Sequence, residues 1–138
     1  QLRYEHQSQS AIKLLNWLKQ QKEFVQVLHP SDEASAGHTY WKEVCKKGHS
    51  AGLVSVILDP KYTLEDVRKF CDALTLFKLG FSWGGPVSLV MLYNLNEMRS
   101  LEHTHLKQGF LVRFCIGLEH SEDLIQDIEN AIKTLNKP

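Results

Sequence analysis

The chain has 138 residues, of which 43% are hydrophobic and 23% charged, and its formal net charge is +0. That is enough chain for one globular core, and the charge balance argues against nucleic acid or an anionic membrane as its main partner. Cys45, Cys71 and Cys115 are widely spaced and read as free thiols of a reducing cytosol, while no apolar stretch has the length of a membrane span and no signal peptide is visible.

In chain order, Ala11, Leu14, Leu15 and Leu18 recur at helical spacing and predict a helix over 8–20. Residues 24–28 read as a short strand stopped by Pro30. A polar loop runs to Gly37 and a short helix is expected over 40–45. The nearly continuous apolar run 52–58 predicts a well-buried strand. Thr63 stands where an N-cap is needed, with Glu65 and Asp66 in the first turn and Leu64, Val67, Phe70, Cys71 and Leu74 as the stripe. Residues 77–79 suggest a short strand, and 87–93 fit either a strand or a short helix. Residues 94–108 read as loop with one turn of helix at most. A strand is expected over 111–116. Ser121 is expected to cap a last helix with Glu122 and Asp123 at its start, Lys133 and Lys137 near its end, and a clean stripe from Leu124 to Leu135. Strands and helices that mix without strict alternation predict an α/β chain of the α+β type. The expected architecture is a mainly antiparallel sheet with helices packed on one face, in a single domain over 1–138.

Arg113 is the residue that carries chemistry. Strand alternation puts Phe110, Val112, Phe114, Ile116 and Leu118 on one face and Leu111, Arg113, Cys115 and Gly117 on the other. An arginine flanked by Leu111 and Cys115 either pairs with a buried acid or awaits an anionic ligand, because an unpaired buried charge is costly. Its planar fork suits a bidentate grip on a carboxylate. Spacing alone leaves both readings open. Upstream, Gly84 and Gly85 permit positive φ and close backbone approach, and Pro86 pushes Gly85 away from helix. Ser82 and Trp83 then stand on the lip of a tight turn.

Taken in order, these segments resemble the C-terminal domain of the pyridoxal-phosphate enzymes of cysteine and methionine metabolism, and within them the cystathionine β-lyase branch. The resemblance rests on an ordered series: Leu2-Arg3 with His6, Trp17-Leu18, the strand from Val25 to Pro30, Gly37-His38 with Trp41-Lys42, and Gly52 to Ser55. It continues through Leu76-Phe77, Ser82-Trp83-Gly84-Gly85, Ser88-Leu89, Arg113 with Ile116-Gly117-Leu118-Glu119, and Asp123 to Asp127. Two positions depart from the family pattern. Val87 stands where an acid commonly precedes the serine, and His120 where an acid commonly follows Glu119.

The resemblance implies that Arg113 binds the substrate α-carboxylate and that Ser82 and Trp83 support the same end of the pocket on a turn shaped by Gly84 and Gly85. A tryptophan at that place is β-lyase-like. The fold implied is that of the small C-terminal domain of fold-type I enzymes. The implied function is the substrate-binding part of a carbon–sulfur lyase that converts cystathionine to homocysteine, pyruvate and ammonia, in a cytoplasmic homotetramer when full length. Pyridoxal phosphate would be bound by a large domain absent from this chain, so no catalytic, cofactor-binding or metal-binding residue is expected here. The start at Gln1 fits a missing upstream portion. The alternative is a stand-alone amino-acid-binding or dimerisation module. A sheet-surface RNA binder is disfavoured by the neutral charge and the lack of paired aromatics.

Other signals are set aside. His103 and His105 lack supporting ligands at metal spacing, Lys46-Lys47 reads as a solvated pair, and Gly48-His49-Ser50 only echoes the segment after the cofactor lysine of related enzymes. Trp17 and Trp41 are expected to pack helices onto the sheet.

Overall fold

The computed structural model describes residues 1–45, 48–98, 100, 102 and 104–135. The elements are α1 (Leu2–Leu18), β1 (Phe24–Leu28), α2 (His38–Val44), β2 (Leu53–Leu58), α3 (Leu64–Ala73), β3 (Lys78–Leu79), β4 (Leu89–Tyr93), α4 (Leu95–Met98), β5 (Leu111–Cys115) and α5 (Ser121–Leu135). The strands form one sheet in the order β1-β2-β5-β4-β3, antiparallel throughout except that β3 runs parallel to β4. The α+β reading with a mainly antiparallel sheet holds.

Register decides which side chains share a face. Val54 lies opposite Phe114, which lies opposite Val90; Val56 lies opposite Val112, which lies opposite Leu92. These point toward the helices and close the core with Leu14 and Leu18 of α1, Val67 and Phe70 of α3, and Leu124, Ile128 and Ala131 of α5. The alternate set, with Leu53, Ser55, Leu89, Met91, Tyr93, Leu111 and Arg113, stays half-buried on the opposite face. One side of the sheet is packed and the other is partly open.

Local chemistry explains the boundaries. The Thr63 hydroxyl accepts from the Asp66 N–H at 3.2 Å while the Asp66 carboxylate accepts from the Thr63 N–H at 2.8 Å, a complete capping box at the start of α3. The Asp127 carboxylate on α5 accepts from the N–H groups of Thr75, Leu76 and Phe77 and from the Thr75 hydroxyl, fixing the entry to β3. Ser8 accepts from the Ser50 N–H at 2.9 Å and donates to the Gly48 carbonyl at 3.3 Å, so the Gly48-His49-Ser50 segment is bound to α1.

Three expectations change and one open reading is resolved. Helix α1 begins at Leu2, six residues before the predicted start, because Gln7 and Ser8 are buried polar residues that interrupt the apolar stripe without interrupting the helix. The ambiguous segment 87–93 is strand from Leu89 on. Ser121 is the first residue of α5 and not its cap: the His120 carbonyl accepts the Leu124 N–H, and the Ser121 hydroxyl accepts from Lys13. Trp17 packs on the core as expected, but Trp41 sits on α2, which buries no residue, and its ring leans on His38. All three cysteines are free; burial pushes the Cys71 thiol up to about 12. Lys46, Lys47, His103 and Lys137 lie outside the described residues, among which no cluster fit to hold a metal occurs. No helix among them is long and apolar enough to cross a membrane.

Candidate functional site: an arginine between two aromatic rings

The sequence-predicted residues come together at one end of the open sheet face. Arg113 projects from the middle of β5, paired across β2 with Ser55 and across β4 with Met91. Its Nη2 donates to the Phe81 carbonyl at 2.7 Å and, less well, to the Ser82 carbonyl at 3.5 Å. The guanidinium carbon lies 5.8 Å from the Trp83 ring centre and 5.7 Å from that of Tyr93, both within reach of a cation–π contact. Nε is buried and has no hydrogen-bond partner. No acidic side chain pairs with Arg113 among the described residues. The structural ion pair that spacing allowed is therefore not formed. What remains is a half-buried cation held by main-chain carbonyls and ring faces, with N–H capacity to spare for an anion.

The turn is held from two directions. Gly84 has φ +73, which explains a glycine there, and its N–H donates to the Cys115 sulfur at 3.4 Å. Gly85 is not in that region, and a side chain at either glycine would meet open space, so close backbone approach is not the reason for the pair. From α1, Gln7 donates to the Gly85 carbonyl at 2.7 Å and Arg3 reaches the Gly84 carbonyl at 3.5 Å. Trp83 is 64% exposed and the Ser82 hydroxyl makes no hydrogen bond among the described residues. A small, mostly apolar pocket lies behind the indole, lined by Tyr4, Gln7, Leu53, Trp83, Gly84 and Cys115. Burial raises the Cys115 thiol above its ordinary range, and its sulfur accepts the Gly84 N–H.

Sequence reasoning gave no role to the clamp beneath this turn. Ser88 is fully buried; its N–H donates to Glu119 Oε1 at 2.9 Å and its hydroxyl to Glu119 Oε2 at 2.7 Å, while it accepts the Gly117 N–H at 2.8 Å. Leu118 N–H donates to the Pro86 carbonyl at 2.8 Å. A β-carbon at Gly117 would collide with the Glu119 carboxylate, the Pro86 carbonyl and the Ser88 nitrogen. The Ile116-Gly117-Leu118-Glu119 run is thus the device that ties the turn to the arginine strand. Val87 is exposed and His120 contributes its carbonyl to α5, so neither departure from the family pattern disturbs the clamp. Among the described residues, no lysine lines the pocket beside Trp83.

Comparison with known proteins bears on the family and the fold. The family model described as Cys/Met metabolism PLP-dependent enzyme matches residues 1–133. Cystathionine β-lyase of Bordetella avium is 34% identical over 131 residues, covering 95% of this chain. An L-alanine/L-glutamate racemase of Wolbachia pipientis is 33% identical over 131 residues, covering 94%. The chain spans 32% of the length of each. A candidate O-acetylhomoserine (thiol)-lyase structure from Campylobacter jejuni, which holds a pyridoxyl-lysine phosphate, superposes with a TM-score of 0.77 at 30% identity, over 96% of this chain and 29% of that one. The chain belongs to the family of pyridoxal-phosphate-dependent enzymes of cysteine and methionine metabolism.

Proposed function

We propose that this chain is the substrate-carboxylate-binding domain of a pyridoxal-phosphate-dependent carbon–sulfur lyase acting on cystathionine. The observation that carries the reading is Arg113: a half-buried guanidinium with no acidic partner among the described residues, steered by two rings and the Phe81 carbonyl. The cofactor would supply the electron sink for breaking bonds at the amino-acid α-carbon, from a remainder of the enzyme that this chain does not include. Arg113 would hold the α-carboxylate and fix the rotation of the substrate, so that its α-proton faces a base outside this chain. Trp83 would wall the pocket beside that anchor. The exposed Phe81, Trp83 and Val87 and the half-open sheet face fit a surface that meets the rest of the enzyme. These features favour a domain of a larger enzyme over a stand-alone binding or dimerisation module.

The racemase relative gives a second reading, in which the same anchor serves racemisation of a small amino acid. One experiment separates them. Full-length protein loaded with pyridoxal phosphate is offered cystathionine and, separately, L-alanine and L-glutamate. Pyruvate and homocysteine from cystathionine support the lyase; D-amino acids without cystathionine cleavage overturn it. In the lyase case, Trp83→Leu widens the pocket and shifts the ratio of specificity constants toward γ-cleaved substrates. An unchanged ratio with a destabilised fold would make Trp83 a packing residue only. The 138-residue chain alone is expected to be inactive.

A further inference from the structure

The geometry points to Tyr93 as a positioning residue that, with Trp83, sets the orientation of the Arg113 guanidinium and thereby the preference of the site for a carboxylate. This inference rests on the carboxylate-anchor reading and deepens it. Tyr93 is the last residue of β4, paired with Leu111, and Met91 lies directly opposite Arg113. Tyr93 is therefore the diagonal neighbour of Arg113 on the open face, where an aromatic side chain reaches a cross-strand partner. Its ring centre lies 5.7 Å from the guanidinium carbon, as near as that of Trp83 at 5.8 Å.

The two rings are not equivalent. Trp83 rides on a turn and is 64% exposed, whereas Tyr93 is half-buried on a strand whose register is fixed by five residue pairs with β5. The rigid wall is Tyr93. The Phe81 carbonyl takes Nη2 at 2.7 Å, which sets the rotation of the fork, and the rings restrict its tilt. Nε is left unpartnered. An arginine on an unpaired sheet face would otherwise sample many rotamers, and each rotamer frozen before binding lowers the cost of capturing a ligand. Ring faces can do this without neutralising the charge, which a carboxylate partner would do. The Tyr93 hydroxyl has no hydrogen-bond partner among the described residues, so the ring and not the hydroxyl does the positioning.

The test uses the full-length holoenzyme and two probes of equal size, L-alanine and L-alaninamide, with affinities measured by calorimetry. The ratio of the two dissociation constants reports preference for the carboxylate and is insensitive to a general loss of folded protein. Tyr93→Leu should cut that ratio by roughly three- to tenfold, the size expected of one partly exposed cation–π contact, while Tyr93→Phe keeps it. Tyr93→Val, at home in a strand, serves if the leucine variant misfolds. Arg113→Ala is the control. If Arg113→Ala keeps the preference for alanine, the carboxylate-anchor reading fails. If Arg113→Ala loses the preference while Tyr93→Leu or Tyr93→Val keeps it, the Tyr93 inference alone is overturned. Loss in Tyr93→Phe as well would move the role to the hydroxyl and overturn the ring argument.

Discussion

On the helix side of β5, Phe114 is fully buried, with the rings of Phe70 and Phe77 edge-on to it at 6.5 and 5.1 Å. On the other side of the same strand, one residue away, Arg113 is half-buried, holds no acid among the described residues and keeps a buried Nε unpartnered. The first face is closed into the core, where Phe114 packs with Val54, Val56, Val90 and Val112. The second is incomplete as it stands in this chain. A single alternating strand thus separates what folds the domain from what gives it chemistry.

That contrast can be broken in two places by stability measurements on the chain itself. The largest expected effect is at Phe114→Ala, which opens a cavity between Phe70 and Phe77 and should cost about 3–5 kcal/mol in denaturant unfolding. A cost below about 1 kcal/mol would mean that the helix-side face is loosely packed and the two faces are less different than described.

A smaller effect concerns pH. His29 is 3% exposed; its Nδ1 accepts the Ser31 N–H at 3.3 Å, and burial depresses its pKa from 6.5 to about 4 despite the nearby Asp32 carboxylate. The unfolded chain therefore takes up this proton more readily than the folded one. His29 contributes a loss of stability that sets in as pH falls below about 6.5 and levels off below about 4. Asp32, held down in pKa by its bond to Lys19, acts with the same sign but at lower pH. Thermal midpoints of wild type and His29→Asn between pH 7 and 4, the span in which His29 titrates, check this; the variant's curve should be the flatter one. Parallel curves would remove His29 from the account and leave the acid sensitivity to the carboxylates.

Much of the fold was legible because local signals agreed with tertiary ones. The strand Phe24–Leu28 lay between polar segments, and Thr63 and Asp66 stood at capping-box spacing. The first turns of α1 were not legible, since Gln7 and Ser8 are polar residues turned inward to hold the Gly84-Gly85 turn and the Ser50 backbone. Segment 87–93 was ambiguous because Val90 and Leu92 face the core while Leu89 and Met91 are also apolar, which hides the alternation of a strand. At the site, Arg113, Ser82 and Trp83 could be named from residue type and resemblance. Tyr93 could not, because its nearness to Arg113 follows from cross-strand register. Ser88 and Glu119 lie 31 positions apart, and nothing in either local segment announces their two hydrogen bonds.

The central claim is that Arg113 serves a ligand and not the fold. The most direct measurement is kcat/KM for cystathionine in the full-length Arg113→Ala enzyme, with its thermal midpoint recorded alongside. The account predicts a loss of at least roughly a hundredfold in kcat/KM with the midpoint nearly unchanged, since no buried ion pair is broken and a misplaced substrate alone costs that much. Near-normal turnover, or a collapse in the midpoint that accounts for the lost activity, would contradict it.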